Sequence, residues 1–375
     1  MTNILDYIAW RGDLEFRECP LNEVDALILC QLSYIDFSGI VADTLSSESL
    51  SLGKIAELFR HSPDFKERSD MGLLINAQTI DLLQRAGESL RFGSLTVGAY
   101  INKIDCETEE QFSAICFSHG NEWTFLAFRG TDDTLVGWKE DFNLGYMDSV
   151  PAQTDALCYL ESIADALPEN QIFLGGHSKG GNLALYAAAH ANTDIQKRLL
   201  TVFSNDGPGF RDDFFSSDGY LAIKDRVCCF VPRLSIVGML FEREDGYTVV
   251  DSTEKNMFMQ HDPFNWHVLG KHFVTCKSRG DESKFVDRTV NKWIKELTPI
   301  EREQFIETIF GILQDTEAKT NSELSANWFE NILKMLKSTQ KLSAKARNAA
   351  ISVVQQLFKI MMDDWMSGGG KDKAD

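Results

Sequence analysis

Several familiar chemistries are missing from this sequence. It has no Cys-x-x-Cys pair, so neither a zinc site nor a thioredoxin-type redox motif is indicated. It has no His-Glu-x-x-His pattern, no Walker pattern, and no Gly-x-Gly-x-x-Gly after a strand. Zinc hydrolysis, P-loop phosphate binding and dinucleotide binding therefore lose their usual signatures. No run of about 18 uncharged apolar residues occurs, so no transmembrane helix and no stable membrane insertion are expected. The first residues, Met1-Thr2-Asn3-Ile4-Leu5-Asp6, lack the basic and apolar regions of a signal peptide. Internal repeats are absent.

Positive charge is also scarce. The formal net charge is −19 and the sequence pI about 4.8. Such a surface repels phosphate backbones, so nucleic-acid binding is not expected. The eight cysteines read as buried free thiols in a reducing compartment, and a cytoplasmic location is expected. Hydrophobic residues at 43% and charged residues at 25% are ordinary for a globular chain. The 375 residues suit one large domain with an appendage.

The N-terminal quarter reads as helical. Val24, Leu27, Ile28 and Leu32 share a helical face over 21–37, and further helices follow over 45–90, expected to pack over one edge of a sheet. Strand signals begin at Leu95–Ile104. Phe112–Ser118 and Trp123–Phe128 follow, joined by a His119-Gly120-Asn121-Glu122 turn. Strands and helices then alternate: a helix over Gln153–Leu167, a strand at Ile172–Leu174, a helix over Leu183–His190, and strands at Leu199–Ser204, Arg226–Val231 and Tyr247–Val250. That alternation implies an α/β fold with a mostly parallel sheet covered on both faces. Beyond about residue 285 only amphipathic helical patterns remain. They read as packing against the sheet domain or one another, with a dimer surface or a lipid-facing flap as alternatives. The expected organisation is a sheet domain over 1–280, a helical appendage over 281–366 and a disordered tail over 367–375.

The richest segment is Ile172-Phe173-Leu174-Gly175-Gly176-His177-Ser178-Lys179-Gly180-Gly181. Within it, Gly176-x-Ser178-x-Gly180 sits between an apolar strand and a helix. This is the pattern of a nucleophile elbow, a strained turn that needs small residues two before and two after the serine. The bland alternative is a Gly-rich turn. In the elbow reading, the helix N-terminus favours developing negative charge beneath Ser178, and the Lys179 N–H is one oxyanion donor. The Lys179 side chain reads as solvated, with a cation capping the crevice as the alternative.

Serine needs a base, and histidine is the usual one. His177 adjoins the nucleophile but should point away from it. His61, His119 and His190 come too early in chain order, which leaves His261, His267 and His272. His261, in Met259-Gln260-His261-Asp262-Pro263 just after the last expected strand, is the choice, and His267 the runner-up. Asp206 follows the strand after the elbow helix and is the candidate acid, with a turn aspartate bonding its own backbone as the bland reading. Asp251 and Asp262 are the lesser candidates. The Asp132-Asp133 and Asp212-Asp213 pairs could bind a cation, but loop solvation explains them equally well, and no metal or organic cofactor is expected.

A second motif, Phe128-Arg129-Gly130-Thr131, ends a strand, and Trp138 and Asp141 lie beyond it. Together with the elbow, these residues resemble the fungal-type (class 3) triacylglycerol lipases of the α/β-hydrolase fold, over roughly residues 95–270. The whole chain is similar to bacterial lipase-like relatives that share the Gly-His-Ser-Lys-Gly-Gly elbow. The resemblance implies that Thr131 supplies an oxyanion donor through its N–H and hydroxyl, and that Thr131–Tyr146 forms a flap. The bland reading of Thr131 is a solvated loop residue. Fungal-type lipases place their acid just before a Val-Pro, whereas Cys228-Cys229-Phe230-Val231-Pro232 holds none there. That departure favours Asp206. The function expected is cleavage of a small-molecule ester or lipid acyl bond through an acyl-serine. An acyltransferase or thioesterase, or an inactive interaction protein on the same fold, are the alternatives.

Overall fold

The computed structural model describes residues 2–277, apart from 46–48, 73, 74, 133, 145, 146, 211, 212, 236, 242–245 and 256–258, together with 347, 348 and 351. The expected appendage over 281–366, those three residues aside, and the tail over 367–375 lie outside the described residues.

In chain order the elements begin with helices α1 (Ile4–Arg11) and α2 (Glu23–Leu32), the short strand β1 (Leu50–Ser51), and helices α3 (Leu52–Arg60), α4 (Phe65–Arg68), α5 (Gln78–Glu88) and α6 (Leu90–Gly93). Strands β2 (Thr96–Asp105), β3 (Glu110–His119) and β4 (Trp123–Phe128) follow, then helices α7 (Leu135–Asn143) and α8 (Pro151–Ala166). The alternating part comprises β5 (Gln171–His177), α9 (Lys179–His190), α10 (Thr193–Arg198), β6 (Leu199–Asn205), α11 (Asp218–Ile223), β7 (Val227–Pro232) and β8 (Tyr247–Val250). The eight strands form one sheet in sequence order. Pairings from β1 to β4 are antiparallel and those from β4 to β8 parallel. This is the α/β-hydrolase architecture.

Topology explains why an N-terminal helical layer is needed. Parallel strands added in one direction through right-handed crossovers place each connecting helix on the same face. Leu160 of α8, Leu183 of α9 and Ile223 of α11 accordingly share one core with Ala114, Leu126, Leu174 and Val202. The opposite face would be left bare. Residues alternate sides along a strand, and Ile115, Phe117, Phe125 and Phe203 point there. They are covered by Leu27, Ile28 and Cys30 of α2, with α1, α3 and α5 in the same cluster. Helix α2 packs on β4, β5 and β6, so the N-terminal helices cover a face of the sheet rather than the expected edge. Its start is set by a capping box: Asn22 Oδ1 accepts the Val24 N–H at 3.0 Å, and Asp25 Oδ2 accepts the Asn22 N–H at 3.0 Å. Asp25 also takes the fully buried Arg91 guanidinium at 2.5 Å, tying α2 to α6.

All eight cysteines are free, but only Cys30 and Cys116 are buried, and Cys106 and Cys158 are exposed, which corrects the uniform burial expected. Among the described residues no helix is long and apolar enough to cross a membrane.

Candidate active site

Four strands end side by side. Phe128 pairs with Gly176, His177 with Asn205, and Asn205 with Phe230, so the chain leaves β4, β5, β6 and β7 at one level. Ligands of open α/β sheets bind at this carboxyl end. The residues leaving it are Arg129 to Thr131, Ser178, Asp206 and Arg233 to Ser235.

Ser178 turns the chain from β5 into α9. Its backbone takes φ 56°, ψ −134°, and its N–H donates to Asn205 O at 3.0 Å. A non-glycine residue in this region is strained, and such strain gathers at functional turns. The flanking glycines make the turn sterically feasible. A Cβ on Gly176 would lie 2.0 Å from the carbonyl carbon of Gly180, and one on Gly180 would lie 2.0 Å from Phe128 O. Ser178 is recessed but retains 9% exposure.

Asp206 occupies the equivalent place one strand over, also left-handed, with φ 50°. Its N–H donates to Phe230 O at 2.7 Å. The carboxylate is fully buried and bonded at both oxygens. Oδ2 lies 2.6 Å from His261 Nδ1, and Oδ1 accepts the Ser235 hydroxyl at 2.5 Å. A carboxylate facing Nδ1 fixes that nitrogen as the donor and leaves Nε2 of a neutral ring as the acceptor. His261 lies in a short turn, Met259–His261, and its side chain is 25% exposed.

The turn is fastened from several sides. Gln260 Oε1 accepts the Leu234 N–H at 2.8 Å, Gln260 O accepts the Trp266 indole at 2.8 Å, and His261 O accepts His177 Nε2 at 2.8 Å. His177 packs against that turn. Its ring lies 4.4 Å from that of His261, and Tyr34 Oη is 3.2 Å from its Nδ1.

The other candidates are occupied elsewhere. His267 Nδ1 and Asp251 Oδ2 pair with each other at 2.9 Å. Asp262 takes the Asn76 amide at 2.6 Å and caps the Phe264 N–H at 3.0 Å. Asp132 is a loop residue that bonds Thr134 and Arg129.

The exit of β4 passes directly against the elbow. A Cβ on Gly130 would lie 2.1 Å from Tyr34 Oη, 2.5 Å from His177 O and 2.9 Å from Ser178 Cβ. Only glycine allows that approach, and it brings Thr131 beside the nucleophile turn. Thr131 is buried, and its hydroxyl donates to Asp141 Oδ2 at 2.5 Å. Although part of Asp141 reaches solvent, its carboxylate lies inside, and Oδ1 has no hydrogen-bond partner among the described residues. Burial lifts this carboxyl to about 6, against the opposing charge of Lys179 and the Thr131 hydrogen bond.

Lys179 corrects a sequence expectation. Its side chain is not solvated and does not cap the crevice. It is fully buried, with Nζ 2.7 Å from Gln111 O, 2.8 Å from Gln111 Oε1 and 2.7 Å from Glu140 Oε2. A buried ammonium requires such partners. Glu140, Ser235 and Tyr34 were not singled out by the sequence. Their site partners Lys179, Asp206 and His177 lie 39, 29 and 143 residues away, and no local pattern marks them.

Comparison with known proteins gives one family match. The model of the Mbeg1-like family matches residues 86–311. No curated protein matches the chain. Solved structures with some similarity include the LIP2 lipase of Yarrowia lipolytica (15% identity, 68% of this chain and 84% of that one, TM-score 0.35). They also include the lipase of Rhizomucor miehei in its propeptide complex (14% identity, 63% and 74%, TM-score 0.35). A third is the lipase of Rhizopus microsporus var. chinensis (14% identity, 65% and 86%, TM-score 0.33).

Proposed function

This chain belongs to the Mbeg1-like family, a lipase-like family of α/β-hydrolases, and from that premise we propose that it is a serine hydrolase cleaving a carboxylic ester or lipid acyl bond. The single observation that carries the reading is the buried Asp206 carboxylate 2.6 Å from His261 Nδ1, one strand away from the strained Ser178 turn.

In this reading Ser178 Oγ attacks the acyl carbonyl while His261 Nε2 takes its proton. Asp206 holds the imidazole in the tautomer with Nδ1 protonated and stabilises the imidazolium. The carbonyl oxygen becomes an oxyanion, which accepts the N–H groups of Lys179 and Thr131. The Thr131 hydroxyl is turned to Asp141, so its contribution is to fix the residue rather than to donate. One such donor is worth about 10²- to 10³-fold in rate. The imidazolium returns its proton to the leaving alcohol as the C–O bond breaks. Water, deprotonated by the same imidazole, then cleaves the acyl-serine and restores Ser178.

The test is a series of p-nitrophenyl esters of increasing acyl length, with wild type and Ser178→Ala. Turnover is expected with at least one member and is lost in the variant, whose thermal melt stays unchanged. Equal turnover by the two proteins would remove Ser178 from the chemistry.

A further inference from the structure

We infer that the buried Lys179–Glu140 pair is a permanent clamp between the nucleophile helix and the segment from Thr131 to Asn143, which makes the Lys179 side chain a positioning residue for the oxyanion side of the site. The clamp's catalytic consequence rests on the serine-hydrolase reading above. Its structural basis does not.

Four elements meet at one carboxylate. Glu140 lies on α7, and its Oε2 accepts both Lys179 Nζ at 2.7 Å and the Gln111 N–H of β3 at 3.1 Å. Its Oε1 accepts the Ala152 N–H in the first turn of α8 at 3.0 Å. Lys179 has no exposure and gives its other bonds to Gln111. The same segment is pinned again further along, where Glu109 takes Lys139 at 2.6 Å and Asn143 at 3.0 Å. At its other end Thr131 bonds Asp141, one residue from Glu140.

Moving α7 away from the elbow would separate a fully buried ammonium from a fully buried carboxylate, each losing its partner. Such separations are among the costliest a fold can make. The segment therefore does not serve as a flap that opens and closes over Ser178, as the sequence resemblance implied. It is a fixed wall that presents Thr131 to the site before substrate arrives. The lysine's place in the chain fits this role. It follows the nucleophile directly, so its backbone N–H faces the site while its side chain reaches α7.

The experiment uses the full chain and the double variant K179M/E140L, in which two apolar side chains of similar size replace the pair and the Lys179 N–H is kept. E140Q is carried in parallel and read the same way should the double variant fail to fold. Amide hydrogen exchange over residues 131–143 and steady-state kinetics on a p-nitrophenyl ester are measured for each. In the wild type the segment is expected to exchange slowly. In the variants its exchange is expected to rise at least tenfold, with kcat falling about 10²-fold and KM changing less than threefold, since a displaced donor weakens the transition state more than the ground state.

Rapid exchange of 131–143 in the wild type, like that of the exposed turn at Gly120, would overturn the clamp. So would a folded variant that keeps both slow exchange and kcat within threefold of wild type. A wild type that protects the segment but turns over no ester would sink the hydrolase reading and leave the clamp standing.

Discussion

The Nε2–H of His177 donates to the carbonyl oxygen of His261 across 2.8 Å, and the two imidazole rings lie 4.4 Å apart. A carbonyl can only accept, so His177 Nε2 carries the proton and its Nδ1 is left to accept from Tyr34 Oη at 3.2 Å. The residue before the nucleophile thus supports the loop of the proposed base. A proton on Nδ1 would leave that donor in place but would put a charge on a buried ring.

Burial of this ring makes stability depend on pH. Burial pushes the His177 imidazole well below its ordinary 6.5, the neighbouring His261 adds to the effect, and the hydrogen bond to His261 O opposes it. A depressed histidine binds its proton in the unfolded chain before it does so in the folded one. Its contribution to stability is therefore present above pH 6.5 and is lost as pH falls below that value. The slope from one such group is at most about 1.4 kcal/mol per pH unit. In urea unfolding between pH 7 and pH 5, His177→Gln is expected to flatten the decline by about one proton, because Gln can still donate to His261 O but does not titrate. An unchanged slope in the variant would place the acid sensitivity elsewhere.

Asp206→Asn keeps the shape of the proposed acid but offers an amide to His261 and Ser235. The imidazole would then be held in the wrong tautomer. We expect kcat to fall by about 10³- to 10⁴-fold with little change in KM. Asp251→Asn, which alters the His267 pair and the Cys276 thiol contact, is expected to leave kcat within about threefold. Steady-state kinetics on one ester compares the two, and equal losses would argue that neither aspartate orients the base.

The elbow's steric claim is separable from its chemistry. In Gly180→Ala the new Cβ would fall 2.0 Å from Phe128 O and 2.9 Å from its carbonyl carbon, so backbone on β4 must move. A cost of about 3 kcal/mol is expected. Gly120 has φ +55° but open space around it, so Gly120→Ala meets only backbone strain, about 1 kcal/mol. Denaturant midpoints measure both, and a Gly180→Ala protein as stable as Gly120→Ala would contradict the packing described.

Much of this arrangement is legible in the chain because it rests on local patterns. The run Trp123–Phe128 is a strand to the residue, and Tyr247–Val250 likewise, since apolar runs bounded by turn residues leave little choice. Ser178 could be chosen from its Gly-x-Ser-x-Gly motif, and Asp206 and His261 from chain order, strand ends and the family resemblance, and the structure sets the last two 2.6 Å apart. What the sequence conceals depends on distant partners. Lys179 looks like any charged residue at a helix start until Glu140, 39 positions earlier, is folded against it. Strand β1 has only two residues and exists because Leu50 and Ser51 pair with Val97 and Thr96, not because of its own pattern. The covering of the second face by the N-terminal helices follows from crossover handedness, which no single segment records.

The most direct measurement is the mass of the protein after treatment with an alkyl fluorophosphonate, which phosphonylates an activated serine. Our reading requires a single adduct, mapped by peptide sequencing to Ser178 and absent from Ser178→Ala. A folded wild-type protein that takes up no adduct, or a variant that takes it up equally, would contradict it.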